Sequence, residues 1–471
     1  MTEPNRYRIA TSDSSIVAMD SRLLAVILAA LALAPAARAE PREATLANGL
    51  RLVVKEDHRA PTVVQQVWYR AGSMDESPGT TGVAHVLEHM MFKGTRRVGP
   101  EEFSRLVAGA GGRDNAFTST DYTVYHEQVH RDRLPFVMRL EADRMANLMI
   151  RPVEFAREIK VVMEERRLST EDQPRALLDE TLLATAFSAH PYKWPTIGWM
   201  QDLQNMTWKD ALSWYQNWYA PNNATVVVVG DVDPQQVIAW AKRYYGPLAR
   251  KPIPARKPQS EPEQRGMKRV ILKAPAELAY VRFGYKAPAL RDPATDWEPF
   301  AIAVLVKVLG GNDAARLNQI LVRERRIATS AGAEYELLSR GPGMVLLNAA
   351  AAQGHARGEL ESALRELVAG VAAQGITAEE LQRAKVQLLA QFMYRRDSFF
   401  AQAMEIGELE SSGLSFRDAD RIPERFKSIT VEQVQSVAAK YLVDDGLTVA
   451  VLDPQPLARR APAHTAPAAA H

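Results

Sequence analysis

His85-Val86-Leu87-Glu88-His89 places two imidazoles and a carboxylate within five residues. On a helix, residues four apart share a face, so His85 and His89 can both present ring nitrogens to one divalent ion. Glu88 leans over the same face, where a carboxylate can act as the base for a water on that ion. Two histidines and one carboxylate with a fourth position open make a catalytic zinc set rather than a structural one. The spacing H-x-x-E-H inverts the commoner H-E-x-x-H signature. Val83, Ala84, Val86, Leu87, Met90 and Met91 make the segment an apolar helix. Ionisable groups buried there need a partner, which argues against two ordinary half-buried histidines.

The chain also contains the ordinary signature, His126-Glu127-Gln128-Val129-His130. That chemistry needs a helix, whereas Thr120 to Val129 is rich in Thr, Tyr and Val and reads as a strand. Along a strand, residues four apart are separated by about 13 Å, too far to share one ion. The next helix is expected near Asp132.

A third ligand is expected from Pro152 to Leu168, a helix with Phe155, Ile159 and Val162 on one apolar face. Glu158 and Glu165 lie two turns apart on nearly the same face, and a carboxylate aimed inward from a buried face needs a cation. Glu164 points about 100° away and should be solvated. Spacing does not choose between Glu158 and Glu165.

With these motifs the chain resembles the pitrilysin family of inverzincin metallopeptidases, nearest the processing-peptidase-like branch of mitochondria and bacteria. The resemblance extends to Gly111-Gly112-Arg113-Asp114-Asn115-Ala116-Phe117-Thr118-Ser119-Thr120-Asp121-Tyr122-Thr123, to His190-Pro191-Tyr192 and to Thr196-Ile197-Gly198. It covers essentially the whole chain after the first forty residues. It implies zinc held by His85, His89 and Glu165, with Glu88 as catalytic base and Glu158 supporting the ligands from behind. It also implies that Asn115, Ala116 and Phe117 sit on an edge strand that pairs with substrate backbone.

Residues 1–39 read as a secretory signal, with Arg22, an apolar core from Leu23 to Ala34 and the small-x-small site Ala37-Arg38-Ala39; Met19 is an alternative start. The apolar run is short for a membrane span, although an uncleaved anchor is the competing reading. The chain has no cysteine, which rules out disulfides and fits a periplasmic location. A formal net charge of +2 gives no signature for nucleic acid or membrane.

An α+β fold of two homologous α/β lobes is expected, at residues 40–249 and 267–456, joined by a Pro-rich linker at 250–266 and followed by a disordered Ala/Pro tail at 457–471. The duplication shows in Thr207-Trp208-Lys209-Asp210, which leads through Tyr219 to the strand Ala224–Val229. Thr430-Val431-Glu432-Gln433 leads likewise through Tyr441 to Leu447–Leu452, at an offset of 222 to 223 residues. Both starts look like capping boxes. Val64–Ala71 and Ala279–Tyr285 are a further candidate pair of matched strands. In the resembling family such lobes close like a clam-shell around the substrate.

The second lobe has no H-x-x-E-H. The arginine and tyrosine, seven apart, that this lobe supplies in active relatives fall here on Val322 and Thr329, and Arg323 is not a substitute without the tyrosine. The expectation is therefore a zinc endopeptidase acting on peptides or unfolded segments. It would be the metal-bearing subunit of a heterodimer whose paralogue brings that pair, or otherwise a homodimer. The rival readings are a non-catalytic scaffold subunit and a module that binds peptides without cutting them.

Overall fold

Runs of β-branched residues such as Thr62-Val63-Val64 and Thr225-Val226-Val227-Val228-Val229 favour strands that bury both faces. In the computed structural model, which describes residues 40–456, these runs form the middle of a six-stranded sheet. Its strands are β1 (Arg42–Thr45), β2 (Arg51–Glu56), β3 (Thr62–Tyr69), β4 (Arg113–Thr118), β5 (Thr123–His130) and β6 (Ala224–Gly230), in the order β1-β2-β6-β3-β5-β4. The second sheet contains β7 (Lys268–Pro275), β8 (Tyr280–Ala287), β9 (Ala328–Glu334), β10 (Gly343–Ala351) and β11 (Leu447–Gln455), in the order β7-β11-β8-β10-β9.

Without β1, the two orders superpose strand for strand. The pairs β2/β6 and β7/β11 are parallel, and every other neighbour is antiparallel. The two helices that lead into β6 and β11 both begin with a capping box, Thr207 with Asp210 and Thr430 with Gln433. The chain is thus an α+β fold of two homologous halves.

Each sheet packs its own helices on one face and borrows a helix from the other half for the opposite face. Helix Phe399–Ser412 brings Ala403 and Ile406 onto Val53, Val64, Trp68, Val124, Val227 and Val229 of the first sheet. A Cβ at Gly407 would lie 1.9 Å from the Trp68 ring, so only glycine lets this helix approach so closely. Helix Pro174–Ala186 reciprocates, setting Leu178 and Leu182 against Ala274, Tyr280, Ala350, Ala450 and Leu452. Apolar burial on this scale is the main stabilising term, and here it is shared across the two halves.

Residues 251–265 form neither helix nor strand, yet they are tied down. The Glu261 carboxylate accepts N–H bonds from Ser188, Ala189 and His190, each at 2.9 Å, and an ion pair from Lys286 at 2.7 Å. Burial works against its charge, but these donors outweigh it and bring its pKa down to about 2. A carboxyl lowered from its ordinary 4.5 contributes stability above pH 4.5 and loses it as pH falls toward 2. Glu261→Gln should therefore cost about 2 kcal/mol at pH 7. Urea unfolding of wild type and variant should converge as pH approaches 2.

The expected signal segment and the tail lie outside the described residues. Among the described residues, no helix is long and apolar enough to cross a membrane.

Candidate metal centre and its surroundings

Helix Val83–Met90 carries His85, Glu88 and His89, and its start is unusually well fixed. The buried Glu76 carboxyl accepts the N–H groups of Gly82 at 2.7 Å and Ala84 at 2.9 Å, satisfying donors at the helix start, and burial, only partly offset by these two bonds, pushes its pKa up to about 8. Thr81 is held by Asp202 and in turn accepts the Trp199 N–H. Gly198 (φ +84°) presses on this turn, and a Cβ there would lie 2.3 Å from the Thr81 carbonyl oxygen. That contact gives a physical reason for the glycine of Thr196-Ile197-Gly198.

Helix Pro152–Arg166 lies beside the first and runs on into a wider turn, Arg167–Glu171. It brings Glu165 Oε2 to 3.3 Å from His89 Nε2, and Glu165 Oε1 to 3.7 Å from His85 Nε2. Ligand atoms of His85, His89 and Glu165 all lie within 4.8 Å of one another. Bonds of about 2.0–2.1 Å in a tetrahedron put neighbouring donor atoms roughly 3.4 Å apart, so the set has the right size for one zinc ion. Burial, then the neighbouring His89, pushes the His85 pKa down to about 3, which leaves its ring neutral with a free lone pair.

Glu158 occupies the other side of His89, its Oε1 2.9 Å from Nδ1 and its Oε2 2.7 Å from Lys93 Nζ. An Nδ1–H donated to a carboxylate leaves Nε2 as the lone-pair atom and fixes the ring plane. Burial opposes charge on His89, but Glu158 and Glu165 outweigh it and raise its pKa; burial likewise opposes charge on Glu158, yet His89 and Lys93 lower its pKa. Glu158, whose side chain is 10 % exposed, is the buried carboxylate of this helix, whereas Glu165 is 44 % exposed. Glu165 faces the open side of the cluster. Glu164 is exposed and pairs with Arg167.

Glu88 is not one of the three grouped donors; it accepts a 2.6 Å hydrogen bond from Thr118 Oγ1, at the end of β4. Burial raises the Glu88 pKa, partly offset by Thr118 and His89. The sequence reading missed Thr118, although it stands directly after Asn115-Ala116-Phe117. Thr118→Val should lower kcat by ten- to a hundredfold with metal content unchanged, and Thr118→Ser should restore most of it.

Among the described residues, β4 forms the outer edge of the first sheet, paired only with β5. Asn115 is exposed, Ala116 is half-buried, and Phe117 packs edge-on to Tyr122. The competing motif lies on β5, as its composition predicts. His126 packs edge-on to Phe400, Glu127 is buried against Gln65 and Arg144, and the exposed His130 caps a turn by accepting the Asp132 N–H. Beyond the β4–β5 turn, a cleft of about 1250 Å³ opens between the halves, lined by Ser119, Tyr122 and Thr196 from the first and by Leu338, Met344 and Phe392 from the second.

In the second half, Thr329 is the second residue of β9 and donates to the Ala350 carbonyl, Val322 packs half-buried on the core, and Arg323 is exposed.

Two halves of one topology, with a compact two-histidine, one-carboxylate cluster in the first, define a metallopeptidase-like architecture. Residues 51–198 match the model described as Insulinase (Peptidase family M16), and residues 205–388 match Peptidase M16 inactive domain. The chain belongs to peptidase family M16, the pitrilysin family. It is 31% identical over 421 residues to zinc protease PqqE of Helicobacter pylori, covering 87% of this chain and 92% of that one. It is 25% identical over 433 residues to a probable mitochondrial-processing peptidase subunit beta of Arabidopsis thaliana, covering 88% of this chain and 78% of that one. A crystal structure of a Helicobacter pylori protease matches with a TM-score of 0.84 at 30% identity, over 88% of this chain and all of that one. The first half of the periplasmic protease PqqL from Escherichia coli shares the fold, with a TM-score of 0.74 at 20% identity over 88% and 92% of the two chains.

Proposed function

We propose that this chain is a zinc-dependent endopeptidase that cleaves extended peptides or unfolded segments, with His85, His89 and Glu165 as ligands and Glu88 as base. The convergence of these three donors beside the half-buried Glu88 carboxylate carries the reading. Bound there, zinc supplies a Lewis acid and acidifies water toward a pKa of about 7. Glu88 accepts the proton of the attacking water on its carboxylate and passes it to the leaving amine. Thr118 holds one Glu88 oxygen, which leaves the other for the proton. Glu158 keeps the His89 ring turned toward the cluster. Asn115, Ala116 and Phe117 on β4 offer an open strand edge to the peptide backbone, which favours substrates without folded structure.

The chain further reads as the metal-bearing subunit of a heterodimer, because Val322 and Thr329 stand where the arginine–tyrosine pair is expected. An exported, periplasmic location agrees with the sequence and with the description of PqqL as periplasmic. The test is cleavage of a quenched fluorescent peptide library by the zinc-loaded chain, alone and mixed with a paralogue carrying the pair. Cleavage only in the mixture supports a split site. Full activity alone removes the partner, and absence of cleavage in both removes the peptidase reading.

A further inference from the structure

The β4–β5 turn that carries the strand edge and ends at Thr118 is not free at its tip. Asp121, in that turn, is nearly buried, and its two oxygens accept from Tyr192 Oη at 2.6 Å and from the Arg340 backbone N–H at 2.7 Å. The Arg340 guanidinium donates at 2.9 Å to the Asp121 carbonyl and forms a fork with Asp75, at 2.7 and 3.0 Å. Asp75 directly precedes Glu76, the carboxyl that fixes the start of the His85–His89 helix. The Gly341 N–H closes the set by donating to Tyr192 Oη at 2.7 Å. A Cβ at Gly341 would lie 2.4 Å from the His190 ring, so the loop fits against His190-Pro191-Tyr192 only as glycine.

We infer that Arg340, from the second half, is a positioning residue that clamps together the two first-half segments building the site: the turn before the metal helix and the hairpin that receives the peptide. The inference rests on the peptidase reading for its kinetic consequence, but the clamp itself is geometric. Arg340 and Asp75 side chains are 5 % and 3 % exposed, so the bidentate pair is screened little by solvent. A planar fork fits this role where a lysine does not, because only the guanidinium satisfies both Asp75 oxygens and the Asp121 carbonyl at once. In a half without metal ligands or an arginine–tyrosine pair, Arg340 gives that half a direct bearing on the site.

Arg340→Lys keeps the charge and Arg340→Met keeps the volume, so at least one fold-competent variant is available. In the zinc-loaded chain, both should speed amide hydrogen exchange at least tenfold at residues 119–123 and 72–76, with little change elsewhere. With an active preparation, KM should rise about tenfold while zinc content is unchanged and kcat falls less than threefold. Exchange within twofold of wild type at both segments in both variants, or an increase spread over the whole chain, would overturn the inference. If the wild-type protein cuts nothing, the exchange measurement still decides the clamp, so its failure is separable from failure of the peptidase reading.

Discussion

Glu88→Gln is expected to lower kcat for peptide cleavage by about a thousandfold, with bound zinc and peptide affinity unchanged. The amide is close to the carboxylate in shape, and its carbonyl oxygen can still accept the 2.6 Å bond from Thr118. It cannot take a proton at neutral pH. Glu88 lies outside the cluster of donor atoms, so the metal site should survive. The variant therefore separates an enzyme from a module that only binds peptides. Kinetics together with metal analysis and peptide binding check it, and loss of zinc in the variant would mean that Glu88 acts as a ligand instead.

The second large effect distinguishes the two carboxylates of helix Pro152–Arg166. Glu165→Ala should abolish stoichiometric zinc and cleavage together, because it removes one of three protein donors. Glu158→Ala should retain zinc with affinity weakened ten- to a hundredfold, since it removes only the acceptor that orients His89. The Glu158 variant also leaves Lys93 without one of its carboxylates, Glu101 remaining as the other. Metal stoichiometry after dialysis against a weak chelator reads both outcomes. Equal loss in the two variants would contradict the assignment.

The features that the sequence disclosed are those whose geometry is local. Helical spacing alone puts His85 and His89 on one face, and strand composition alone disarms His126 and His130. The duplication was visible because its capping boxes and the strands that follow keep a constant offset. Glu158 and Glu165 could not be separated by spacing, since seven residues return to nearly the same face and the distinction is a distance of about 10 Å along the helix axis. Burial would have favoured Glu158, and only the facing helix shows Glu165 at the Nε2 side. Thr118 and Arg340 depend on contacts 30 and 219 residues away, to Glu88 and Asp121, which no periodic pattern encodes. The exchanged helices Pro174–Ala186 and Phe399–Ser412 were hidden for the same reason. An exchanged helix has an ordinary apolar face, and its partner sheet is fixed only by tertiary packing. Gly407, inside an amphipathic helical stretch, is a local sign of a close approach.

The central claim is that one zinc ion, held by His85, His89 and Glu165, is needed for peptide-bond hydrolysis. Zinc titrated into the chelator-treated chain with a quenched peptide, alone and mixed with a paralogue carrying the arginine–tyrosine pair, tests it directly. Cleavage should be absent at zero zinc and rise linearly to a plateau at one equivalent per metal-bearing chain. Cleavage that persists in the zinc-free protein, or stays absent in both preparations at one equivalent and above, would contradict the account.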